Sequence, residues 1–226
     1  EGGSALVMRC HHCIADGTAM MTVMQGLFDT KAKGSARKAA PRRAVPTRSL
    51  IDKLALLAGG AGMLLGELLK RNDPRGPLKG EFGLRQRVAW SQPVAIADVK
   101  AIGARHGAKV NDVLVAAMSG ALRAYLKQRG VDLRRATVRA MVPVDLRPPE
   151  RVGRLGNEFG LVVLELAVSA ARTQQRLALT KARMDALKRS PEPIAMRALF
   201  DIFGRGPKML EDIANDWFGS KASVVM

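Results

Sequence analysis

No apolar run in this 226-residue sequence approaches the roughly 18 residues of a membrane span, so no bilayer-crossing helix is expected. The longest candidate, Leu54-Ala-Leu-Leu-Ala-Gly-Gly-Ala-Gly-Met-Leu-Leu-Gly66, is shorter and interrupted by glycine, although it can lie against a membrane. Cysteine occurs twice and no secretory leader is visible, which excludes a disulfide framework and points to a reducing, intracellular setting. Nucleotide-phosphate loops are missing too. Gly60 to Gly66 has neither GxGxxG spacing nor a preceding strand, and it does not end in Gly-Lys-Ser/Thr, so close helix packing is the better account of its small residues. Aromatic residues make up only 4% of the chain, and none falls in its most basic stretch. A base-stacking platform is therefore absent there, and nucleic acid is not an expected partner.

What the chain has in excess is positive charge. The formal net charge is +17, which attracts anionic partners such as acidic lipid surfaces or phosphates. Residues 31–48 carry seven Lys or Arg and no acid. Pro41 and Pro46 favour reading that stretch as a solvated linker, and a polybasic segment can also be drawn to an anionic membrane. A hydrophobic fraction of 47% is ordinary for a globular protein able to bury one or two cores.

The densest chemistry lies in Arg9-Cys-His-His-Cys-Ile-Ala-Asp-Gly17. Cys10 and Cys13 have the spacing of half a zinc site, but a structural site needs a second ligand pair, and the only further histidine or cysteine is His106. Neighbouring residues on an extended chain also point to opposite faces, so the four cannot converge on one ion. A nucleophilic cysteine beside His11 and His12 is possible on paper. Cys10, however, continues the apolar run Ala5-Leu-Val-Met8 and reads more simply as a small buried hydrophobe. What remains is His11-His12-x-x-x-Asp16-Gly17, after a strand expected over Ala5 to Cys10 and before a helix. In that helix Met20, Val23, Met24, Leu27 and Phe28 follow the i, i+3, i+4, i+7, i+8 spacing. Asp16 can turn back on the loop backbone or hold an arginine that braces the loop. Gly17 is expected to supply the backbone freedom of a tight turn. From spacing alone the histidine pair can be structural or catalytic.

Beyond residue 80 the pattern is mixed α/β. Strands are expected over Arg85 to Gln92, Ala136 to Val144 and Phe159 to Val168, and a short helix over Ile96 to Arg105. His106 is read as the end of that helix, where a cation suits the helix dipole. Leu114, Ala117, Met118, Ala121, Leu122 and Tyr125 form a helical stripe behind Asn111-Asp112, either of which can cap the helix. Ser169 is expected to cap a long helix ending near Arg189. Pro191 and Pro193 break it, and two shorter helices follow to Trp217. Ala222 to Met226 reads as a further strand.

ALVMRCHHCIADGTAMM, VNDVLVAAMSGALRAYLKQRG, VPVDLRP and GNEFG, in this order, resemble consecutive blocks of the bacterial wax ester synthase/acyl-CoA:diacylglycerol acyltransferases. HHxxxDG is the active-site motif of the coenzyme-A-dependent acyltransferase superfamily to which they belong. The resemblance implies an α/β, chloramphenicol-acetyltransferase-like two-domain sandwich, incomplete at both ends, so that the chain reads as an internal fragment. Residues 1–30 would close the N-terminal subdomain and carry the HHxxxDG loop, 31–80 would be a basic linker with an apolar helix, and 81–226 most of the second subdomain. It implies an O-acyltransferase that moves a long-chain acyl group from acyl-CoA to diacylglycerol or a fatty alcohol. His12 would be the general base, with His11, Asp16 and Gly17 supporting the motif and Asn111 and Asp112 in the active-site region. In such a fold Arg147, at the end of Val142-Pro-Val-Asp-Leu-Arg147, can approach the same cavity and pair with Asp16. No metal and no cofactor beyond the acyl-CoA substrate is implied. The lipid substrates imply a cytoplasmic protein attached peripherally to a membrane or lipid droplet. An amide-forming condensation reaction and a non-catalytic, basic lipid-surface module are the alternatives.

Overall fold

A computed structural model describes residues 7, 9, 11, 14–28, 72–74, 76–80, 83, 87–148, 151, 155–203 and 207–226. The expected strand over Ala5 to Cys10, the basic stretch 31–48 and the apolar segment Leu54 to Gly66 lie wholly or almost wholly outside these residues. Six helices and three strands are seen among the described residues: α1 (Gly17–Phe28), α2 (Ile96–Arg105), α3 (Val110–Gln128), β1 (Arg139–Asp145), β2 (Phe159–Glu165), α4 (Thr173–Arg189), α5 (Glu192–Phe203), α6 (Lys208–Lys221) and β3 (Val224–Val225). The architecture is mixed α/β. No described helix is long and apolar enough to cross a membrane.

The sheet has the order β2-β1-β3, with β1 antiparallel to β2 and parallel to β3. Directly opposed residues share a face, so Ala140, Val142 and Val144 stand with Leu164, Val162 and Gly160 on one side. Met141, Pro143 and Asp145 stand with Val163, Leu161 and Phe159 on the other. The first face carries the main core, where Val138, Ala140, Leu164, Leu166 and Val168 are buried with Leu126 of α3, and Met184 and Leu187 of α4 pack against them. A second cluster joins Met196 of α5 and Phe218 of α6, with Met141 packed beside them. Pro143 has no N–H to give a neighbour, and it lies past Ala140 and Met141, the two β1 residues that β3 pairs. On the outer edge of β2, the Val163 N–H donates to the Glu192 carboxylate at 3.3 Å, which ties α5 to that edge.

Several sequence expectations need correcting. Residues 87–92 are not a strand; Val88 and Trp90 are 84% and 88% exposed, and an extended segment without a pairing neighbour gains no ladder bonds. The buried face of α3 runs through Asp112, Ala116, Ser119 and Leu126, whereas Leu114 and Met118 are exposed. Small residues won that face because α4 comes so close that the Arg176 guanidinium lies 3.1 Å from where a Cβ on Gly120 would stand. Ser169 does not cap α4, which starts at Thr173 behind Arg172. The strands are shorter than expected at their outer ends, and α6 runs on to Lys221. In α1 Ala19 is buried, while of the expected stripe Met20 and Met24 are half-buried and Val23 and Leu27 exposed.

Candidate active site

Asp16 is the organising residue. It sits at the start of α1, where its backbone carbonyl accepts the Met20 N–H at 2.8 Å and its Oδ1 accepts the Ala19 N–H at 2.9 Å, the geometry of a helix N-cap. The same carboxylate receives the Arg147 guanidinium through both terminal nitrogens, Nη1 to Oδ1 at 3.1 Å and Nη2 to Oδ2 at 2.8 Å. A fourth bond, from the Glu158 N–H to Oδ2 at 2.9 Å, completes the set. Both partners are buried, and this two-pronged match of planar guanidinium to planar carboxylate fixes orientation as well as distance.

Arg147 extends the knot. Its Nη2 also donates to the Gly156 carbonyl at 2.8 Å, while its own N–H donates to Asp145 Oδ1 at 2.9 Å. Gly156 forms a parallel bridge with Ala15, its N–H donating to the Ile14 carbonyl at 2.9 Å and its carbonyl accepting the Asp16 N–H at 3.3 Å. Gly156 has φ of +109°, a backbone region that residues with a side chain rarely adopt. Four stretches meet here: the motif loop, the first turn of α1, the exit of β1 and the approach to β2. Arg151 Nη1 donates to Glu158 Oε1 at 2.8 Å on the outer side.

Burial alone would raise the Asp16 carboxyl, but the backbone N–H groups of Glu158 and Ala19, and then the Arg147 guanidinium, outweigh it and hold the group below the ordinary aspartate value. Asp16 is therefore a structural anion, ionised at neutral pH and saturated with donors.

Beside the knot, on the Met141 face of the sheet, lies a cavity of about 420 Å³. Asp16, Gly17 and Thr18 form one side of it, and Met141, Pro143, Phe159 and Leu161 supply an apolar wall. A second cavity, on the opposite face, includes Asn111 and Lys188 in its lining. Pro143 and Asp145 line both.

The structure thus brings Asp16, Gly17 and Arg147 together, and places Asn111 and Asp112 across β1 from them. His12, Cys10 and Cys13 lie outside the described residues. His11 is exposed, and its carbonyl accepts the Ile14 N–H at 3.2 Å. Gly17 is the first residue of α1 and has no positive φ; the turn freedom expected of it is used at Gly156 instead. Neither Asn111 nor Asp112 is the N-cap of α3, which is Lys109. Asp112, buried at N3, accepts the Lys109 N–H at 2.8 Å, which is the reciprocal half of a capping box. Its other oxygen meets Lys188 Nζ of α4 at 3.3 Å. His106 is the C-cap of α2. Among the described residues no group of three or more His, Cys, Asp or Glu is placed to hold a metal. Sequence reasoning missed Gly156, Glu158 and Lys188. The first two belong to the GNEFG stretch, where the glycine at 156 was the available signal for a left-handed turn, whereas the Glu158 N–H acts whatever its side chain, and Lys188 is one cation among many.

Residues 155–226 match the model of the WS/DGAT C-terminal domain. The chain is 27% identical over 204 residues to tgs1 of Mycobacterium tuberculosis, whose name describes a diacylglycerol O-acyltransferase; the match covers 81% of this chain and 43% of that protein. It is 28% identical over 211 residues to tgs2 of the same organism, similarly named, covering 84% of this chain and 46% of the relative. Mb3154c of Mycobacterium bovis, again named as a diacylglycerol O-acyltransferase, matches at 27% over 204 residues. The chain spans less than half the length of these relatives. No solved structure matches it. The chain is thus similar along most of its length to bacterial proteins named as diacylglycerol O-acyltransferases, and its residues 155–226 match the WS/DGAT C-terminal domain.

Proposed function

We propose that this chain carries the catalytic loop and much of the second subdomain of an acyltransferase that moves a long-chain acyl group from acyl-CoA to the hydroxyl of diacylglycerol or a fatty alcohol. The observation that carries this reading is the Asp16–Arg147 knot, which pins the residues just after His12 against an apolar cavity. His12 is the general base. It takes the proton from the acceptor hydroxyl as that oxygen attacks the thioester carbonyl, and the imidazolium then protonates the departing thiolate. An imidazole suits both steps because its unperturbed pKa of about 6.5 leaves it mostly neutral near pH 7 yet basic enough to accept a proton. Asp16 is engaged in four hydrogen bonds to other groups, so it positions the loop rather than sharing a proton with the base. His11 supports the loop from outside.

In this reading the fold is the two-domain sandwich of chloramphenicol acetyltransferase, with the reacting atoms between the domains. No metal and no cofactor beyond acyl-CoA is needed. A +17 protein with the basic stretch 31–48 meets its lipid substrates at an anionic membrane or droplet surface in the cytoplasm. The test is thiol release from a long-chain acyl-CoA in the presence of diacylglycerol. His12→Ala in the full-length protein should lower it at least about a hundredfold, within the range for a lost general base. Equal rates for variant and parent would refute the mechanism, and thiol release with an amine but not an alcohol would move the reaction to amide formation.

A further inference from the structure

Three groups of residues line the cavity beside the motif loop: Asp16 to Thr18, the wall from β1 and β2, and Val225 of β3. Arg147 pins the first, and antiparallel pairing of β1 with β2 holds the second. β3 is only two residues long. Its surroundings are tied to β1 by the Ser223 N–H to the Arg139 carbonyl and the Met226 N–H to the Met141 carbonyl, each at 3.0 Å. So short a strand can slip, and because side chains alternate along a strand, a slip of one residue would turn Val225 away from the cavity. What opposes the slip comes from a distant part of the chain. The Arg139 N–H, at the start of β1, donates to Asp73 Oδ2 at 3.3 Å. The same oxygen accepts the Ser223 hydroxyl at 2.6 Å. One side-chain oxygen thus joins the first residue of β1 to the residue just before β3.

Asp73 is itself held in place. Its N–H donates to the Ser220 carbonyl at 3.0 Å, and Lys79 Nζ donates to that carbonyl at 2.6 Å and to the Asp73 carbonyl at 3.4 Å. These bonds fasten it to the last turn of α6, from which β3 emerges. The residue is buried, and its Oδ1 has no hydrogen-bond partner among the described residues. A buried acceptor left unpaired is unfavourable, so what Asp73 contributes comes through Oδ2. We infer that Asp73 is a positioning residue for the transfer: it fixes the register of β3 on β1 and so places Val225 in the wall of the cavity beside the motif loop. This rests on the acyltransferase reading and adds to it a residue that reaches the reacting groups only through β3. A displacement of about 1 Å in the groups that position a substrate can cost about a hundredfold in rate.

In the full-length protein, Asp73→Ala should lower kcat/KM for thiol release from acyl-CoA with diacylglycerol at least about tenfold, mostly through kcat. Asp73→Asn keeps an oxygen that can accept both bonds and should restore most of the rate. Ser223→Ala removes the shorter bond from its other end and gives the same readout should Asp73→Ala fail to fold. The decisive comparison is made in a Val225→Ala background. There Asp73→Ala should cost less than about threefold, because the side chain it places is gone, whereas a residue that only holds up the fold would cost the same in both backgrounds. Register is also read without turnover. Met141 and Val225 are opposed across the two strands, so Met141→Cys with Val225→Cys should join on oxidation, with the linked peptides identified by mass spectrometry. Adding Asp73→Ala should slow that cross-link at least about tenfold, since a slipped strand turns one thiol to the other face. Slower cross-linking in a protein that transfers no acyl group would keep Asp73 as the residue that sets the register and remove the acyltransferase reading. Equal cross-linking with and without Asp73, an active enzyme indifferent to Asp73→Ala, or equal losses with and without Val225 would overturn the inference.

Discussion

Replacing Arg147 by methionine keeps most of the side chain's apolar bulk and removes its charge, and the hydrogen bonds around it set the cost. Asp16 would lose two of its four hydrogen bonds, and the Gly156 carbonyl would lose its Arg147 donor. The carboxylate, 6% exposed, would keep only the backbone N–H groups of Ala19 and Glu158. Breaking a buried pair from one side costs about 3–5 kcal/mol, because the surviving charge stays desolvated. With a urea slope of about 2 kcal/mol per molar, the unfolding midpoint at pH 7 should fall by about 1.5–2.5 M. Asp16→Ala combined with Arg147→Met should recover part of that loss, since no unpaired charge remains. Acidity supplies an independent check. A folded carboxyl held below its ordinary value of 3.8 contributes stability that is complete above that value and is lost as pH falls through the lower, folded one. The gap between parent and Arg147→Met should therefore be widest at neutral pH and close as the pH drops below 3.8. A midpoint shift under about 0.5 M at pH 7, or a gap that does not narrow in acid, would refute the reasoning that the pair locks the loop.

Other parts of the chain are open to equally direct tests. A Cβ on Gly160 would stand 2.2 Å from the Pro193 carbonyl oxygen, a backbone atom at the start of α5 that cannot swing aside, so Gly160→Ala should destabilise by about 1–3 kcal/mol or more in a urea titration, and a neutral result would mean that α5 is free to shift. Neutralising Lys31, Lys33, Arg37, Lys38, Arg42 and Arg43 together should abolish most binding to anionic vesicles in a co-sedimentation assay, and the parent's binding should weaken as salt shortens the screening length from about 10 Å at 0.1 M towards 3 Å at 1 M; undiminished binding of the variant would leave that stretch a linker only.

The sequence by itself determined the elements whose cause is local. Apolar spacing placed α2 at Ile96–Arg105 and the body of α3, β-branched runs placed most of β1 and β2, and Pro191 and Pro193 separated α4 from α5. HHxxxDG, NDV and GNEFG in order were enough to indicate the acyltransferase relatives, because residue types in a fixed order survive without coordinates. The pairing of Asp16 with Arg147 was anticipated from the position of Arg147 at a strand end, but 131 residues separate the two and only the closure of β1 against the motif loop brings them to 2.8 Å. Tertiary structure alone decided the rest. Which face of α3 is buried depended on how close α4 approaches, and that favoured Ala116 and Ser119 over the larger Leu114 and Met118. Residues 87–92 have a strand's composition but no pairing neighbour among the described residues, and a strand exists only in a pair. The left-handed turn fell to Gly156 rather than Gly17 because the chain must turn there to bridge Ala15, a contact 141 residues away in sequence. Lys188 became the partner of Asp112 for the same reason: charge at a distance in sequence acts only once packing has removed the water between the helices that carry it.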